Sequence, residues 1–535
     1  MNHQPSTISH DIIGLHGMVT SSNPIATRVG REILRQGGNA IDAAVATALA
    51  LCVAQPSSNG IGGYGGTMVI YLADEKRVKV VDYNCRAPRA ATPDMFELKD
   101  GWEANNPGQM PAVVDHANFH GPMACSVPGT VGGLSLAANE FGRLGWKADI
   151  EPAIALASEG FEVYPGLHAN FRGFADNTDP ESKATYFPDG YLPEDGELWR
   201  QPDLAALLEV LRDDPQTFYT GEPGRMIADR VQSMGGILTE QDMADYEASV
   251  LEPLVLDYKG TTVYASSSLC GGPTTMEALA ALQKLHPKPY SPDEPGFWGD
   301  LGGVLTLAWQ DRFNYIGDNP GIQEKLIELF SDEHAESLAK TVRSGKVEPY
   351  PTPPGFHMET VHLCTCDSDR NMVSLTETHG AGWGSRVAIP GLGIVIGHGM
   401  SRFDPRPDHP NCPGPYKKCM HNMSPVILVK DGKPAGAFGM PGGRTIPSVM
   451  THFLVGIIDF GCTPAEMLNR PRIHTEGGIM TVTNNLSKSA RKEIVGMGLE
   501  IRAQEGIGGS ASGLIVGGER IIGAAQAGSE AALGL

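Results

Sequence analysis

A threonine that follows a proline-rich segment is the first residue of this chain that could do unusual chemistry. Pro349–Gly355 contains four prolines, and Glu359 and Thr360 then precede a run rich in β-branched residues. A threonine hydroxyl is a poor nucleophile unless a base lies beside it, and its own α-amine can serve only after the preceding peptide bond is broken. The pattern alone does not separate this chemistry from that of an ordinary strand, which often begins with a β-branched residue.

A second candidate is the segment Met440-Pro441-Gly442-Gly443, which follows a predicted strand. Consecutive glycines at the end of a strand can turn two backbone N–H groups toward one point, as an oxyanion requires. The same residue types also form ordinary turns. The chain contains no Gly-x-Ser-x-Gly sequence, which disfavours a serine hydrolase of the α/β type.

The glycine-rich segment that ends at Gly66 matches the dinucleotide fingerprint G-x-G-x-x-G through Gly60, Gly62 and Gly65. That fingerprint works where a strand leads into a helix, because the N–H groups at the start of a helix bind the pyrophosphate. Here the helix is predicted before the glycines and the strand after them. We therefore expect the glycines to allow close packing of the backbone in the core or to line a pocket.

Several histidines and cysteines lie close together in the C-terminal third of the chain. They are His398, His409, His421, Cys412 and Cys419, with Cys364 and Cys366 further upstream. A zinc site requires about four ligands at short, regular spacings, and these residues do not have such spacings. On a strand, Cys364 and Cys366 point to the same face, as two small core residues would. The sequence therefore predicts neither a metal nor another cofactor, although a metal-dependent hydrolase stays an alternative.

The elements that must position these residues follow from the hydrophobic pattern. Helices are predicted at Pro24–Gln36, Ala40–Val53, Thr274–Leu285 and Leu301–Tyr315, and a strand at Thr67–Leu72. After the proline-rich segment come two predicted hairpins, Thr360–Cys366 with Met372–Thr378 and Ser424–Val429 with Ala435–Gly439, separated by a loop at Phe403–Tyr416. Helices and antiparallel strands combined in this way favour an α+β fold with αββα layers.

Composition narrows the class of protein. The 535 residues carry a formal net charge of −21, which argues against nucleic acid as a partner. The longest apolar stretches fall short of the roughly 20 residues that span a bilayer, and the N-terminus shows no secretory pattern. Nine scattered cysteines suit reduced thiols. A soluble cytoplasmic enzyme is expected, with no membrane partner.

A series of short blocks, taken in order, resembles the γ-glutamyltransferase family of N-terminal-nucleophile hydrolases. The blocks are Gln36–Ala44, Asn59–Gly66, Ser126–Gly133, Phe218–Gly221, Gly235–Asp242, Asp311–Asp318, Thr360–Asp367, Ser374–Thr378, Met423–Pro425 and Pro441–Gly443. Each block is modest, but their shared order over most of the chain is specific. The resemblance implies a four-layer αββα sandwich that is made as a zymogen and cuts itself between Glu359 and Thr360.

The resemblance also implies what the two products are. Residues 1–359 would form a large chain with most helices and part of the central sheets. Residues 360–535 would form a small chain that begins with the nucleophile and stays interleaved with the large chain in one fold. Each chain is then the other's partner, and the sequence leaves open whether the protein forms a homo-oligomer.

The resemblance assigns roles to four residues of the small chain. Thr360 becomes the nucleophile and, through its α-amine, the base. Thr378 matches a second threonine that orients the nucleophile, and both threonines are expected at neighbouring ends of one hairpin. Gly442 and Gly443 match the oxyanion hole. The implied reaction is attack on the amide of a small-molecule substrate, formation of an acyl-enzyme, and transfer of the acyl group to water.

Substrate recognition departs from the family pattern. Asn84 stands where the family has an arginine for the substrate carboxylate, and Arg402 stands where it has an aspartate for the ammonium. Gly380 replaces an asparagine of the family, and His421 with Asn422 replace two serines. Arg86 and Arg89 lie close to Asn84 in the sequence. The loop between Arg402 and His421 also looks shorter than the family's lid.

The change at Arg402 decides the predicted substrate. Two like charges 4 Å apart cost about 4 kcal/mol at an effective dielectric constant near 20, so a zwitterionic γ-glutamyl group should bind poorly. A small anionic amide of the oxamate kind should bind better, with its carboxylate held by the Arg402 fork.

Two alternatives remain. If Arg402 points into solvent and Asp404 takes the ammonium, the chain is a γ-glutamyltransferase or glutathione hydrolase. If the chain stays uncut, it is a non-catalytic homologue that binds a small acid.

Overall fold

The structure, a computed structural model, describes residues 8–99, 111–350 and 359–535. The predicted connector Pro349–Gly355 lies outside these ranges from residue 351 onward. None of the described helices is both long enough and apolar enough to cross a bilayer.

Seventeen α-helices lie in the described ranges. In chain order they are α1 (Pro24–Arg35), α2 (Ala40–Ala54), α3 (Thr130–Phe141), α4 (Trp146–Glu159), α5 (Leu167–Ala175), α6 (Pro180–Tyr186), α7 (Pro202–Asp213), α8 (Thr217–Thr220), α9 (Glu222–Ser233), α10 (Glu240–Ala244), α11 (Gly272–Leu285), α12 (Phe297–Tyr315), α13 (Ile322–Glu328), α14 (Asp332–Arg343), α15 (Thr445–Ile458), α16 (Pro464–Leu468) and α17 (Lys488–Gly496).

Twenty-one strands accompany these helices in the same ranges. In chain order they are β1 (Ile12–Gly14), β2 (Met18–Ser21), β3 (Gly65–Leu72), β4 (Arg77–Asp82), β5 (Phe161–Glu162), β6 (Leu198–Trp199), β7 (Ser249–Leu251), β8 (Leu254–Tyr258), β9 (Thr261–Ala265), β10 (Val361–Cys366), β11 (Met372–Thr378), β12 (Ala388–Ile389), β13 (Ile394–Val395), β14 (Val426–Lys430), β15 (Lys433–Gly439), β16 (Ile473–His474), β17 (Met480–Thr483), β18 (Ile501–Gln504), β19 (Ser512–Gly517), β20 (Arg520–Ala525) and β21 (Ala532–Gly534).

Two seven-stranded antiparallel sheets form the centre of the molecule. One has the strand order β21-β2-β10-β11-β3-β4-β7, and the other has the order β1-β20-β19-β15-β14-β9-β8. We call them the β10 sheet and the β15 sheet. In the β10 sheet the predicted hairpin β10–β11 lies between β2 and β3, strands from the N-terminal part of the chain.

Three apolar cores show that the molecule has four layers. Val361 and Leu363 of β10 pack in a core with α2, α3 and α4, whereas Cys364 and Cys366 of the same strand face a core between the two sheets. A third core joins the outer face of the β15 sheet to α11, α12 and α15. The predicted αββα sandwich is confirmed, as is the shared face of the two cysteines.

Helix α2 illustrates how the sequence builds a buried element. Asn39 caps the helix by accepting from the N–H groups of Ile41 and Asp42, and the Asp42 carboxylate accepts from the N–H of Asn39. All fifteen helical residues are buried, which explains the alanine-rich composition. The helix ends at Ala54 and leads into the segment that carries Ser58 and the glycines.

The predicted helices and hairpins agree with the structure to within a few residues at each end. The loop predicted at Phe403–Tyr416 contains neither helix nor strand. Helix α15 was not predicted. It is buried on all sides from Ile446 to Gly456, so its pattern has no clear helical period.

Candidate active site

The two threonines singled out by the sequence lie side by side. Thr360 immediately precedes β10, and Thr378 ends β11, where Val361 pairs with Glu377. Both side chains are buried, since Thr360 is 8% exposed and Thr378 is 1% exposed. The prediction that they occupy neighbouring ends of one hairpin is confirmed.

The hydroxyl groups of both threonines point at one carbonyl oxygen. The main-chain oxygen of Glu359 accepts from Thr360 Oγ1 at 2.6 Å and from Thr378 Oγ1 at 2.7 Å. Thr378 Oγ1 in turn accepts from the N–H of Gly380 at 2.7 Å, which leaves its own proton for a carbonyl. Thr378 therefore polarises the peptide group between Glu359 and Thr360, in addition to the contact made by Thr360 itself.

The Pro441-Gly442-Gly443 turn lies at the same end of the central strands as the two threonines. It follows β15, whose last residue, Gly439, packs against the ring of His362, two residues from Thr360. The carbonyls of both turn glycines accept from the first N–H groups of α15, and no hydrogen bond among the described residues uses their own N–H groups. Unused N–H groups beside a helix N-terminus suit a developing negative charge.

Glycine is required at position 442 for steric reasons. Its φ is +137°, and a Cβ atom there would come within 2.7 Å of Thr445 Oγ1 and 2.9 Å of the Gly508 Cα atom. The glycines at residues 60–66 also serve close packing, as predicted. Gly60 lies against the His379 ring, and Gly65 pairs with Thr378 and lies against the carbonyl of Tyr83.

Arg402 is buried beside the second threonine. Its side chain is 7% exposed, its Nη2 donates to the carbonyl of Gly380 at 2.5 Å, and its guanidinium lies 5.7 Å from the centre of the Tyr64 ring. The alternative in which Arg402 points into solvent is wrong. Asp404 is also buried, and its two oxygens accept from the Arg406 guanidinium at 2.8 and 2.5 Å. Its charge is thus already paired.

The other predicted substrate-binding residues help to hold the backbone around Arg402. Asn84 Nδ2 donates to the carbonyl of Cys419 at 2.7 Å, and Arg86 Nη1 donates to the carbonyl of Tyr416 at 3.1 Å. The Arg86 guanidinium also stacks at 5.1 Å on the Tyr416 ring. These contacts join the segment after β4 to the segment before β14.

His421 and Asn422 are positioned by a buried arginine. Arg312 donates to the carbonyl of His421 at 2.6 Å and to Oδ1 of Asn422 at 3.1 Å. Burial lowers the pKa of His421 to about 3, so its ring is neutral at physiological pH. Neither ring nitrogen of His421 has a hydrogen-bond partner among the described residues.

His398 has a place in this site that sequence reasoning missed, since it was considered only as a metal ligand. A Cβ atom on Gly380, whose φ is +110°, would lie 2.2 Å from the His398 ring and 3.0 Å from Arg402 Nη2. The ring therefore fills the space of a side chain at position 380. His398 Nδ1 lies 3.0 Å from the carbonyl of Phe119, so it carries the proton, and burial lowers the pKa of the ring.

The histidine and cysteine group weighed as a metal site does not converge. In the described ranges, none of its members belongs to a set of three ligand atoms within metal-binding distance of one another. Cys419 Sγ instead lies 3.6 Å from Cys85 Sγ, and Asn411 donates its N–H to Nδ1 of His409.

A different ionic group was not found from the sequence. His334 Nε2 lies 2.9 Å from Asp311 Oδ2 and 3.2 Å from Glu277 Oε1, which joins α14 to α12 and α11. Hydrogen bonds to these carboxylates raise the pKa of His334 to about 10. The three residues are far apart in the sequence, so no spacing could have indicated them. Asp311 precedes Arg312, and the group therefore supports the helix that positions His421.

Comparison with known proteins identifies the family. The family model described as gamma-glutamyltranspeptidase matches residues 26–533. The chain is 30% identical to the glutathione hydrolase proenzyme of Escherichia coli K12 over 94% of this chain and 89% of that one, and 30% identical to the acylase ACY 1 proenzyme of Pseudomonas sp. strain V22 over 91% and 88%. Among solved structures, cephalosporin acylase from Bacillus halodurans aligns with a TM-score of 0.85 and 29% identity, covering 99% of this chain and 97% of that one.

Proposed function

Since this chain belongs to the γ-glutamyltranspeptidase family of N-terminal-nucleophile enzymes, we propose that it is a self-processing threonine amidohydrolase. The observation that carries the proposal is the pair of hydroxyl groups, from Thr360 and Thr378, that donate to the carbonyl oxygen of Glu359. The names of the relatives, which are proenzymes, also support self-processing.

Self-processing is a shift of the acyl group from nitrogen to oxygen. Thr360 Oγ adds to the carbonyl carbon of Glu359, the bond from that carbon to the Thr360 nitrogen breaks, and the hydroxyl proton ends on the nitrogen. Water then adds to the ester and releases a Glu359 carboxylate and a Thr360 hydroxyl. Thr378 stabilises the negative charge that develops on the carbonyl oxygen during the first step.

The cut chain then works on an external amide. The α-amine of Thr360 takes the proton from its own hydroxyl, the hydroxyl oxygen attacks the substrate carbonyl, and the N–H groups of Gly442 and Gly443 bind the oxyanion. The leaving amine takes the proton, and water completes the hydrolysis of the acyl-enzyme. The functional molecule consists of residues 1–359 and residues 360–535 in one fold.

For the substrate we propose a small anionic amide of the oxamate kind. The support is electrostatic. Arg402 is buried next to residue 380, and Asp404 is paired with Arg406, so a substrate ammonium would meet a positive charge. A carboxylate would instead meet an opposite charge. The relatives named glutathione hydrolase keep a γ-glutamyl substrate as the second candidate.

Matched substrates test this choice. We expect kcat/KM for oxamate and for glutaryl-p-nitroanilide to exceed that for γ-glutamyl-p-nitroanilide, which differs from the glutaryl compound only by an amino group. Arg402→Asp should change the ratio of glutaryl to γ-glutamyl turnover by at least tenfold in favour of the glutamyl compound, because it reverses the local charge.

The control for this experiment is Arg28→Asp, which makes the same change of charge on the exposed face of α1. It should leave the ratio unaltered. A wild-type enzyme that prefers the γ-glutamyl compound would remove the charge argument and favour the second candidate.

We also propose a cytoplasmic location. All nine cysteines are free thiols in the structure, and eight of them are buried. Fractionation of cells that express the untagged protein tests this proposal, and recovery outside the cytoplasmic fraction would contradict it.

A further inference from the structure

Ser58 contacts both Glu359 and Thr378, the threonine whose hydroxyl donates to the Glu359 carbonyl. Its Oγ donates to Glu359 Oε2 at 2.9 Å, which holds the side chain of the residue before the bond. Its main-chain oxygen accepts from the N–H of His379 at 3.0 Å and lies 3.3 Å from Thr378 Oγ1. Ser58 is 7% exposed, so these contacts are made away from bulk water.

The segment around Ser58 is fixed at several points. The N–H groups of Ser58 and Asn59 both donate to the carbonyl of Gln55, directly after α2. Asn59 Nδ2 donates to Glu377 Oε1 at 2.6 Å, next to Thr378 on β11. The carbonyl of Ser57 accepts from the N–H of Trp383 at 2.7 Å. Ser58 therefore presents its hydroxyl from a rigid support that also carries β11.

We infer that Ser58 is a positioning residue for the self-cleavage, and this inference rests on the proposed function. By holding the Glu359 carboxylate, Ser58 fixes how the Glu359 carbonyl faces Thr360 Oγ1 and Thr378 Oγ1. The reaction needs the attacking oxygen, the carbonyl carbon and the donor in one arrangement, and rotation about the Glu359 backbone would separate them. Ser58 itself exchanges no proton and forms no bond to the reacting atoms.

The Glu359 side chain also lies near the segment that follows β11. Its other oxygen, Oε1, lies near Gly382, where an added Cβ atom would be 3.4 Å away. The carboxylate thus lies between Ser58 and the segment after β11. A residue without a hydrogen-bonding side chain at position 359 would lose the contact with Ser58 just as a change at Ser58 would.

The experiment follows the disappearance of the intact 535-residue chain after synthesis, by intact-mass spectrometry, in a set of variants. Ser58→Ala and Glu359→Ala should each slow the cleavage by about tenfold, as expected for one lost hydrogen bond to a charged group. Ser58→Thr and Glu359→Gln keep a donor and an acceptor and should cut at nearly the wild-type rate. The double variant S58A/E359A should be no slower than either single variant, because one contact is lost in all three.

Two controls separate positioning from folding. Ser57→Ala removes a neighbouring hydroxyl that accepts from Asn170 and should not change the cleavage rate. In the Thr360→Ala background, which cannot cut, adding Ser58→Ala should leave the melting temperature unchanged within about 1 °C.

The results of this experiment distinguish a failure of the Ser58 inference from a failure of the proposed function. A Ser58→Ala chain that cuts at the wild-type rate overturns this inference alone, and so does equal further slowing by Ser58→Ala in the Glu359→Ala background. A wild-type chain that is never cut before Thr360 overturns the proposed function as well.

Discussion

Thr378 has two carbonyl oxygens within reach of its hydroxyl, that of Glu359 at 2.7 Å and that of Ser58 at 3.3 Å. While the chain is uncut, the Thr378 hydroxyl donates to the nearer of the two oxygens, that of Glu359. If the chain is cut as proposed, the Glu359 carbonyl becomes part of a free carboxylate, and the same hydroxyl could then donate to Thr360 Oγ or to the carbonyl of Ser58. One residue can therefore assist the self-cleavage first and orient the nucleophile afterwards.

The role of Thr378 in self-cleavage can be tested by substituting this one residue. Thr378→Val keeps the shape of the side chain and removes the donor, so the charge developing on the Glu359 oxygen loses its partner. We expect self-cleavage to slow by at least tenfold, measured as the half-life of the intact chain on a denaturing gel. Thr378→Ser keeps the hydroxyl and serves as the control. A valine variant that is cut as fast as wild type would contradict this role.

At the scale of elements, the site is formed where the β10–β11 hairpin, the turn after β15 and the end of α2 meet. The hairpin supplies the two threonines, the turn supplies the N–H groups, and the segment after α2 supplies Ser58. The dipole of α15 adds a partial positive charge to the turn, because the N-cap of the helix, Arg444, follows Gly443 directly.

The turn can be tested by adding one methyl group. Gly442→Ala would place a Cβ atom 2.7 Å from Thr445 Oγ1 at a φ of +137°, so the turn must change shape and its N–H groups must move. We expect kcat per cut small chain to fall by about a hundredfold, which is typical of a lost oxyanion-hole donor.

The matched control for that variant is Gly496→Ala at the end of α17, where an added Cβ atom meets nothing within 4 Å. It should keep full activity. A Gly442→Ala enzyme with wild-type kcat would exclude this turn from the oxyanion hole.

The group formed by His334, Asp311 and Glu277 gives a pH-dependent prediction for three helices. The pKa of His334 is raised to about 10 in the folded state, above its ordinary value near 6.5. A raised histidine pKa stabilises the fold fully below pH 6.5, and this stabilisation is lost as the pH rises toward 10. Wild type should thus lose a few more degrees of melting temperature between pH 6.5 and 10 than His334→Gln does.

The control for the pH series is His286→Gln, which changes a more exposed histidine 3.7 Å from Glu294. It should follow the wild-type pH profile. Identical pH slopes for wild type and His334→Gln would contradict the assignment of a protonated His334.

Particular residues show how much of this could be predicted. The hairpin was predictable because the runs Thr360–Cys366 and Met372–Thr378 are rich in Val, Leu, Thr and Cys and Asp367–Asn371 has the composition of a turn. The roles of Thr360, Thr378 and the glycine pair were assigned through the resemblance of ordered sequence blocks to the family. Arg402 was identified because it stands where the family has an aspartate, but only packing against Tyr64 and Gly380 shows that its charge is buried.

Other residues could not be predicted, for physical reasons. Ser58 is 301 positions from Glu359, and the bond between them depends on how α2 packs against β11. His398 gave no local signal for its contact with Gly380, since that contact joins two loops. His334 and its two carboxylates come together through the packing of three helices. In each case, tertiary packing rather than local pattern sets the geometry.

At the scale of the whole molecule, both sheets are built from strands on either side of Thr360. In the β10 sheet, β10 and β11 lie between β2 and β3. In the β15 sheet, β14 pairs with β9. The proposed cut before Thr360 would break none of these ladders, so the two products would stay associated through hydrogen bonds and through all three apolar cores.

The most direct test of this account is the intact mass and N-terminal sequence of the purified protein. We predict two polypeptides, residues 1–359 and 360–535, that elute together in a native buffer and separate only in denaturant. The smaller one should begin with Thr360, and Thr360→Ala should remain a single inactive chain. A fully active preparation that consists of one uncut polypeptide, or a small chain that begins at another residue, would contradict the account.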